Sequence, residues 1–200
     1  LLTRLKQICN YDPATGESAK LEYLRDSLDV IVQRGEKALV FSQYKQTLDF
    51  LAEHLSAHDP LMYHGGMTRA QKDDVVQTFK SDESRPLLLI SLQAGGVGLN
   101  LQEASYVYHY DRWWNPAIER QAEDRAYRMG QTRPVMVHRL VMTGTIEERV
   151  DKILEDKETL LTRFNEGESP DRPDASLSDG DYFGLLGLDP ALATTRAAAS

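Results

Sequence analysis

The chain of 200 residues is predicted to be an α/β protein with a parallel sheet that helices cover on both faces. Short apolar runs, long enough for buried strands and too short for helices, recur along the sequence. Between them lie longer segments whose apolar residues recur every three or four positions, as in amphipathic helices. Strands that alternate with helices in this way form parallel sheets buried on both faces.

Five strands and six helices are predicted in chain order. The strands are at residues 37–42, 61–64, 87–91, 106–110 and 134–142. The helices are at residues 1–10, which have the spacing of the end of a longer helix, and at 18–34, 47–57, 68–80, 116–129 and 145–164. In the second helix the predicted inward residues are Leu21, Leu24, Leu28, Ile31 and Val32.

Capping residues support four of these helices. Ser18 and Thr68 are predicted N-caps. Asn115 is the predicted N-cap of a helix that has Pro116 at its first position, and Gly130 is expected to end that helix. Residues 145–148 (TIEE) have the pattern of a capping box at the start of the last helix.

Four of the predicted strands have polar residues at their carboxyl ends. The residue pairs at these ends are Ser42-Gln43, His64-Gly65, Ser91-Leu92 and Asp111-Arg112. In open α/β sheets, ligands bind beyond the carboxyl ends of the strands. The sequence therefore predicts a binding edge at this end of the sheet.

Composition and charge exclude few classes of function. A hydrophobic fraction of 41% is ordinary for a soluble globular protein, and no apolar run reaches the roughly 20 residues of a membrane helix. The net charge of −8 argues weakly against nucleic acid, but residues 151–200 carry −6 of it. Residues 112–149 hold seven arginines and no lysine. Because salt screens charges beyond about 8–10 Å, such a local patch can bind phosphates whatever the net charge.

The segment 93–131 holds the largest concentration of candidate ligand-binding residues. Three glycines at 95, 96 and 98 follow a predicted strand and allow the backbone to approach a ligand closely. In the predicted helix after Pro116, four polar residues at spacings of three and four share one face; they are Gln121, Asp124, Arg125 and Arg128. Two arginines on one face suit a phosphate. Alternatively, the same spacing is explained by a solvent-exposed helix face on which glutamates pair with the arginines, since Glu119 and Glu123 lie nearby.

Several motifs, in order and spacing, resemble those of one family. QAGGVGLNL (93–101), DRWWNP (111–116) and QAEDRAYRMGQ (121–131) resemble motifs V and VI of the Swi/Snf-type chromatin-remodelling translocases, which are superfamily-two helicase-like ATPases. ALVFSQY (38–44) resembles motif IV, and YHGGMTRAQKDDVVQTF (63–79) resembles the block beside it. The resemblance covers about residues 1–164 and implies the second, C-terminal RecA-like lobe of such an enzyme.

The resemblance assigns an ATP-facing set of residues. It implies that Arg125 and Arg128 contact the ATP phosphates, with Arg128 as the arginine finger, and that Gln121 helps to orient that face. The residues implied to lie near the nucleotide are Gly96, Gly98, Asn100 and Asp124. The sequence holds no GxxxxGKS or GxxxxGKT loop and no DEAH-like acidic motif for Mg²⁺. In the family those groups lie on the first lobe, so this chain alone is expected to be inactive, with ATP and Mg²⁺ held mainly by that lobe.

The resemblance also assigns contacts to double-stranded DNA. The residues implied are Ser42, Gln43, His64, Gly65, Arg69, Ser91, Gln93, Ala94 and Trp114. Such contacts follow the phosphate backbone, so low sequence specificity is expected. No metal site is expected, because His54 and His58 lack the Glu of a zinc-binding HExxH helix. The expected partners are duplex DNA, the first lobe and a DNA-bound protein as remodelling target.

The role of the last helix and the function of the chain each leave alternatives open. The last helix resembles the family helix that braces one lobe against the other, but it could pack only within this lobe. A strand-separating helicase lobe and a catalytically inactive interaction module are the rival functions.

The remaining predictions concern the tail and the location. Residues 165–200 are predicted to be an acidic linker and tail. The lone Cys9 fits a reducing cytoplasm; the expected location is the cytoplasm of a bacterium or the nucleus of a eukaryote.

Overall fold

The computed structural model describes residues 2–94, 99–113, 115–126 and 134–165. Its sheet has five parallel strands in the order β2-β3-β1-β4-β5. The strands are β1 (Lys37–Ser42), β2 (Leu61–Tyr63), β3 (Leu87–Ser91), β4 (Ala104–His109) and β5 (Met136–Arg139). The predicted parallel α/β architecture is confirmed.

Six helices surround the sheet in the described part of the chain, together with short 3₁₀ turns at Ser56–His58 and Leu92–Ala94. The helices are α1 (Leu2–Asn10), α2 (Ala19–Gln33), α3 (Lys45–His54), α4 (Arg69–Ser81), α5 (Pro116–Glu123) and α6 (Ile146–Asn165). The predicted N-caps are confirmed: Ser18 accepts from the N–H of Leu21, and Asn115 from that of Ala117. Thr68 forms a reciprocal capping box with Gln71.

Two hydrophobic layers, one on each face, hold the helices against the sheet. Alternate residues of β1 point to opposite faces, since the side chains of a strand have a period of two. Ala38 and Val40 pack with the buried leucines of α2 and α3. Leu39 and Phe41 pack with Phe79 of α4 and with residues of and beside α5.

Two local predictions are wrong. Val32 is 41% exposed, because the buried stripe of α2 ends at Ile31, and its neighbour lies about 100° further round the helix. Helix α5 ends at Glu123 rather than continuing to Gly130. The N–H groups of Arg125 and Ala126 bond three residues back, to Ala122 and Glu123, so the chain tightens into turns there. Residues 127–130 lie outside the described ranges.

The strands at the edges of the sheet are shorter than predicted. β5 has four residues where nine were predicted, and β2 has three where four were predicted. The last helix begins next to Thr145, as predicted, but its cap differs from a reciprocal capping box. The Thr145 hydroxyl accepts from the N–H of Glu147, while the Glu148 carboxylate accepts from the N–H of Gly144. No helix among the described residues is both long and apolar enough to span a bilayer.

Candidate functional site

The carboxyl ends of the strands meet at one edge, as the sequence predicts. Ser42 at the end of β1 pairs in register with Ser91 at the end of β3. Tyr63 pairs with Ile90, so His64 follows at the same level. Tyr110 donates its N–H to the carbonyl of Phe41, which places Asp111 beside the end of β1.

Asp111 is the centre of a fully buried polar cluster at this edge. Its carboxylate accepts hydrogen bonds from the Ser42 hydroxyl, from the N–H of Gln43 at 3.1 Å and from Nδ2 of Asn10 at 3.2 Å. The side chains of Ser42 and Asp111 are both 0% exposed. A buried carboxylate needs such donors, and here they come from α1 and from the end of β1.

The carbonyl of Arg112 is held from two sides. It accepts from Nζ of Lys6 at 2.5 Å and from Nε2 of Gln43 at 3.1 Å. Lys6 is 0% exposed, and burial lowers its pKa from 10.5 to about 8, against the opposing attraction of Asp111 and Glu147. Helix α1 thus fixes the start of the tryptophan loop, residues 111–115.

A buried ion pair attaches helix α6 to the same edge. Nζ of Lys20 lies 2.6 Å from a Glu147 carboxylate oxygen and donates to the Tyr110 carbonyl at 2.8 Å. The Glu147 carboxylate also accepts from the N–H of Met142 at 3.0 Å. Burial raises the pKa of Glu147, and Lys20 opposes that shift.

Arg125 has a different environment. It is 7% exposed, and its Nε and Nη1 atoms find no hydrogen-bond partner among the described residues. Burial lowers the pKa of Arg125 below its ordinary value, although a guanidinium stays protonated in proteins. Oδ1 of Asn100 is also buried without a partner in the described ranges. A backbone bond of 2.9 Å from Leu101 N–H to the Arg125 carbonyl joins the two segments.

The members of the predicted polar helical face differ in exposure. Gln121 and Asp124 are exposed and Arg125 is buried. That these residues project together toward one ligand stays a prediction. Arg128, Gly96 and Gly98 lie outside the described residues.

The residues assigned to DNA differ in exposure. Ser42, Gln43 and Ser91 are buried, and the first two are hydrogen-bonded within the lobe. His64 and Ala94 are partly buried, while Gly65 and Arg69 are exposed. Gln93 lies in the 3₁₀ turn after β3, and Trp114 lies outside the described residues. Contact of each with DNA stays a prediction.

Sequence reasoning did not predict the burial of the polar residues that organise this edge, above all Lys6, Asn10, Glu119 and Glu147. The partners lie far apart in sequence: 106 residues separate Lys6 from Arg112, and 127 separate Lys20 from Glu147.

Comparisons with known proteins identify the family to which this fold belongs. Residues 19–130 match the helicase conserved C-terminal domain family. YwqA of Bacillus subtilis, named as an ATP-dependent helicase/translocase, is 43% identical over 183 residues, which are 84% of this chain and 20% of that protein. The DNA repair protein RAD5 of Cryptococcus neoformans is 45% identical over 149 residues, 72% of this chain and 12% of that protein.

A solved structure shows the same fold. The SWI2/SNF2 ATPase core of Sulfolobus solfataricus in complex with double-stranded DNA is 31% identical, with a TM-score of 0.66 over 84% of this chain and 37% of that one. The chain therefore belongs to the helicase C-terminal domain family and, within it, to the Snf2-type C-terminal lobes of superfamily two. It spans about a fifth or less of the two curated relatives named above.

Proposed function

We propose that this chain is the second motor lobe of an ATP-dependent translocase that moves along double-stranded DNA and remodels protein–DNA complexes. The observation that carries the proposal is the Arg125 guanidinium, which is buried with two nitrogens unpartnered among the described residues. A buried cation without a partner is costly, so such a group is expected where an anion completes it.

The triphosphate of ATP supplies an anion of the required kind. Arg125 and Arg128 would place fixed positive charge where charge develops on the transferred phosphoryl group. The buried Oδ1 of Asn100, also unpartnered among the described residues, accepts a hydrogen bond from a donor such as a ribose hydroxyl. The other lobe would hold most of the nucleotide and the Mg²⁺ that neutralises its charge, with Gln121 and Asp124 at the rim of the site.

Duplex DNA would lie along the carboxyl edge of the sheet. Gly65 and Arg69 are exposed there, and the side chain of Arg69 is 97% exposed. The Sulfolobus ATPase core, which has the same fold, was solved in complex with double-stranded DNA, and this supports the assignment. Groups of this type contact phosphates, so the expected sequence specificity is low.

The rival functions make different predictions for strand separation and turnover. A strand-separating helicase would displace one strand of a duplex, whereas a translocase would hydrolyse ATP on a duplex without separating it. An inactive interaction module would bind DNA without ATP hydrolysis. The DRWWNP and RMGQ segments favour the translocase, since they resemble the remodelling enzymes.

ATP turnover and strand displacement, measured on the full protein with and without duplex DNA, test the proposal. We expect DNA-stimulated turnover without strand displacement, and no DNA-stimulated turnover by residues 1–200 alone. Substantial turnover by the purified 200-residue chain, unchanged in Arg128→Ala, would contradict the half-site assignment.

A further inference from the structure

One buried carboxylate joins the tryptophan loop to helix α5. Glu119, in the first turn of α5, is 2% exposed. Its Oε1 atom accepts from the backbone N–H of Trp113 at 2.7 Å and from Nε of Arg112 at 3.1 Å. Its Oε2 atom lies 3.7 Å from Nε of Arg139 on β5. Three elements therefore meet at a single side chain.

The ion pairs around Glu119 make this junction stiff. Arg112 is itself buried, and its guanidinium also pairs with Asp151 of α6. Charges buried in this way keep their partners, because separating them leaves an uncompensated charge in a medium of low dielectric constant. A displacement of residues 112–113 must therefore move α5 with it or break a buried pair.

Helix α5 leads directly to Arg125. Glu123, one turn after Glu119, bonds Nη2 of Arg139 at 2.7 Å and Nε2 of His109 at 3.1 Å, so the end of the helix is held as well. Burial would raise the pKa of Glu123, but the bond from His109 and the charge of Arg139 bring it below the ordinary value. Backbone bonds from the N–H groups of Arg125 and Ala126 to the carbonyls of Ala122 and Glu123 then connect the end of α5 to Arg125.

We propose that Glu119 is a positioning residue that couples duplex DNA at the tryptophan loop to the placement of Arg125. Bound DNA that displaces Arg112 and Trp113 also moves the Glu119 carboxylate, and α5 transmits that shift to the guanidinium of Arg125. This inference rests on the proposed motor function, and it gives Glu119 no contact with either ligand.

The test is Glu119→Gln in the full protein. Glutamine keeps an oxygen for the Trp113 N–H and removes the charge that binds Arg112 and Arg139. The measured quantity is the ratio of ATP turnover with saturating duplex DNA to turnover without DNA, which does not depend on the folded fraction. We expect this ratio to fall about tenfold, within the usual range of coupling between two sites. A purely structural role would lower both turnovers together and leave the ratio unchanged.

Matched variants complete the experiment. Arg139→Gln removes one partner of Glu119 at a site that is 39% exposed, and it is expected to lower the ratio in the same direction by a smaller factor. Glu53→Gln, an exposed carboxylate on α3, should leave the ratio unchanged. If Glu119→Gln does not fold, Arg139→Gln decides. A normal ratio in the folded variants overturns the coupling role alone, whereas a wild-type protein without DNA stimulation overturns the proposed function and this inference together.

Discussion

Two buried polar clusters of the lobe differ in how completely their atoms are hydrogen-bonded. Around Asp111, both carboxylate oxygens accept donors from α1 or from the end of β1. At the Asn100–Arg125 corner, three buried polar atoms lack partners among the described residues. The two clusters are formed by neighbouring elements of one lobe, so burial alone does not account for the difference.

Under the proposed function, the contrast is between groups that stabilise the fold and groups that bind a ligand. A satisfied buried network stabilises one arrangement of the backbone, whereas an unsatisfied buried charge lowers stability until something binds it. Asp111 is therefore expected to matter for stability and Arg125 for turnover. Substitutions in the two clusters should move different measurements.

The largest expected effect is on turnover at the arginine corner. In the full protein, Arg128→Ala, and also Arg125→Ala, should lower kcat roughly 10³-fold, the lower end for arginine fingers. ATP binding should change less, because the first lobe is proposed to hold most of the nucleotide. Steady-state kinetics at saturating ATP measure the loss, with Arg25→Ala on the exposed side of α2 as a control.

Stability should respond in the opposite way at this corner. Arg125→Met keeps the volume of the side chain and removes a buried charge, two nitrogens of which have no partner among the described residues, so the melting temperature should stay the same or rise. A clear fall in melting temperature, or near-normal turnover in both alanine variants, would remove the distinction between the two clusters.

The second effect is on stability at the other cluster. Asp111→Ala removes a buried acceptor shared by three donors and should lower the free energy of unfolding by about 3 kcal/mol. Chemical denaturation of the 200-residue chain measures it, with Asp26→Ala on the exposed face of α2 as the control. An effect no larger than that of the control would show that the buried network contributes little.

Substitution of Trp114 tests whether the tryptophan loop contacts DNA or packs in the core. If Trp114 meets DNA, Trp114→Ala should weaken DNA binding by about 1–3 kcal/mol and leave melting of the lobe nearly unchanged. If Trp114 is packed in the core, the same change should destabilise the lobe by about 3–5 kcal/mol. We expect the first result, and a large fall in melting temperature would refute the DNA role.

The smallest effect is a pH dependence at Lys6. Its pKa in the folded protein is about 8 and its ordinary value 10.5, so the unfolded chain binds more protons between these pH values. The free energy of unfolding should therefore rise by about 1 kcal/mol from pH 7 to pH 9 relative to Lys6→Met. Denaturation curves of both proteins across this range give the difference, and parallel pH profiles would contradict the lowered pKa.

The fold was predictable where local pattern and tertiary position agree. The bounds of β1 and β3 match the prediction, because both strands are central and their apolar runs end where pairing ends. β5 pairs on one side only, and its apolar pattern continues past the last ladder bond. Helix α5 was predicted too long, because its helical spacing continues past Glu123, whereas the N–H groups of Arg125 and Ala126 bond three residues back and end the regular helix.

The position of the site was predictable from the sequence, but the hydrogen-bond and ion-pair partners within it were not. Polar residues after parallel strands fall at one edge whatever their partners, so Ser42 and Asp111 were placed there correctly. The burial of Arg125 and the bond from the Trp113 N–H to Glu119 depend on tertiary contacts. Such contacts leave no periodic pattern in the sequence.

The attachment of α1 and α6 to a common point has a mechanical consequence. Leu2 of α1 packs against Val150 and Leu154 of α6, while Lys6 and Asp151 both bind Arg112. Tension on a chain that enters through α1 and leaves through α6 would cross this short junction instead of stretching the sheet. The hydrogen bonds between strands would then carry little of that load, and the lobe would resist deformation under it.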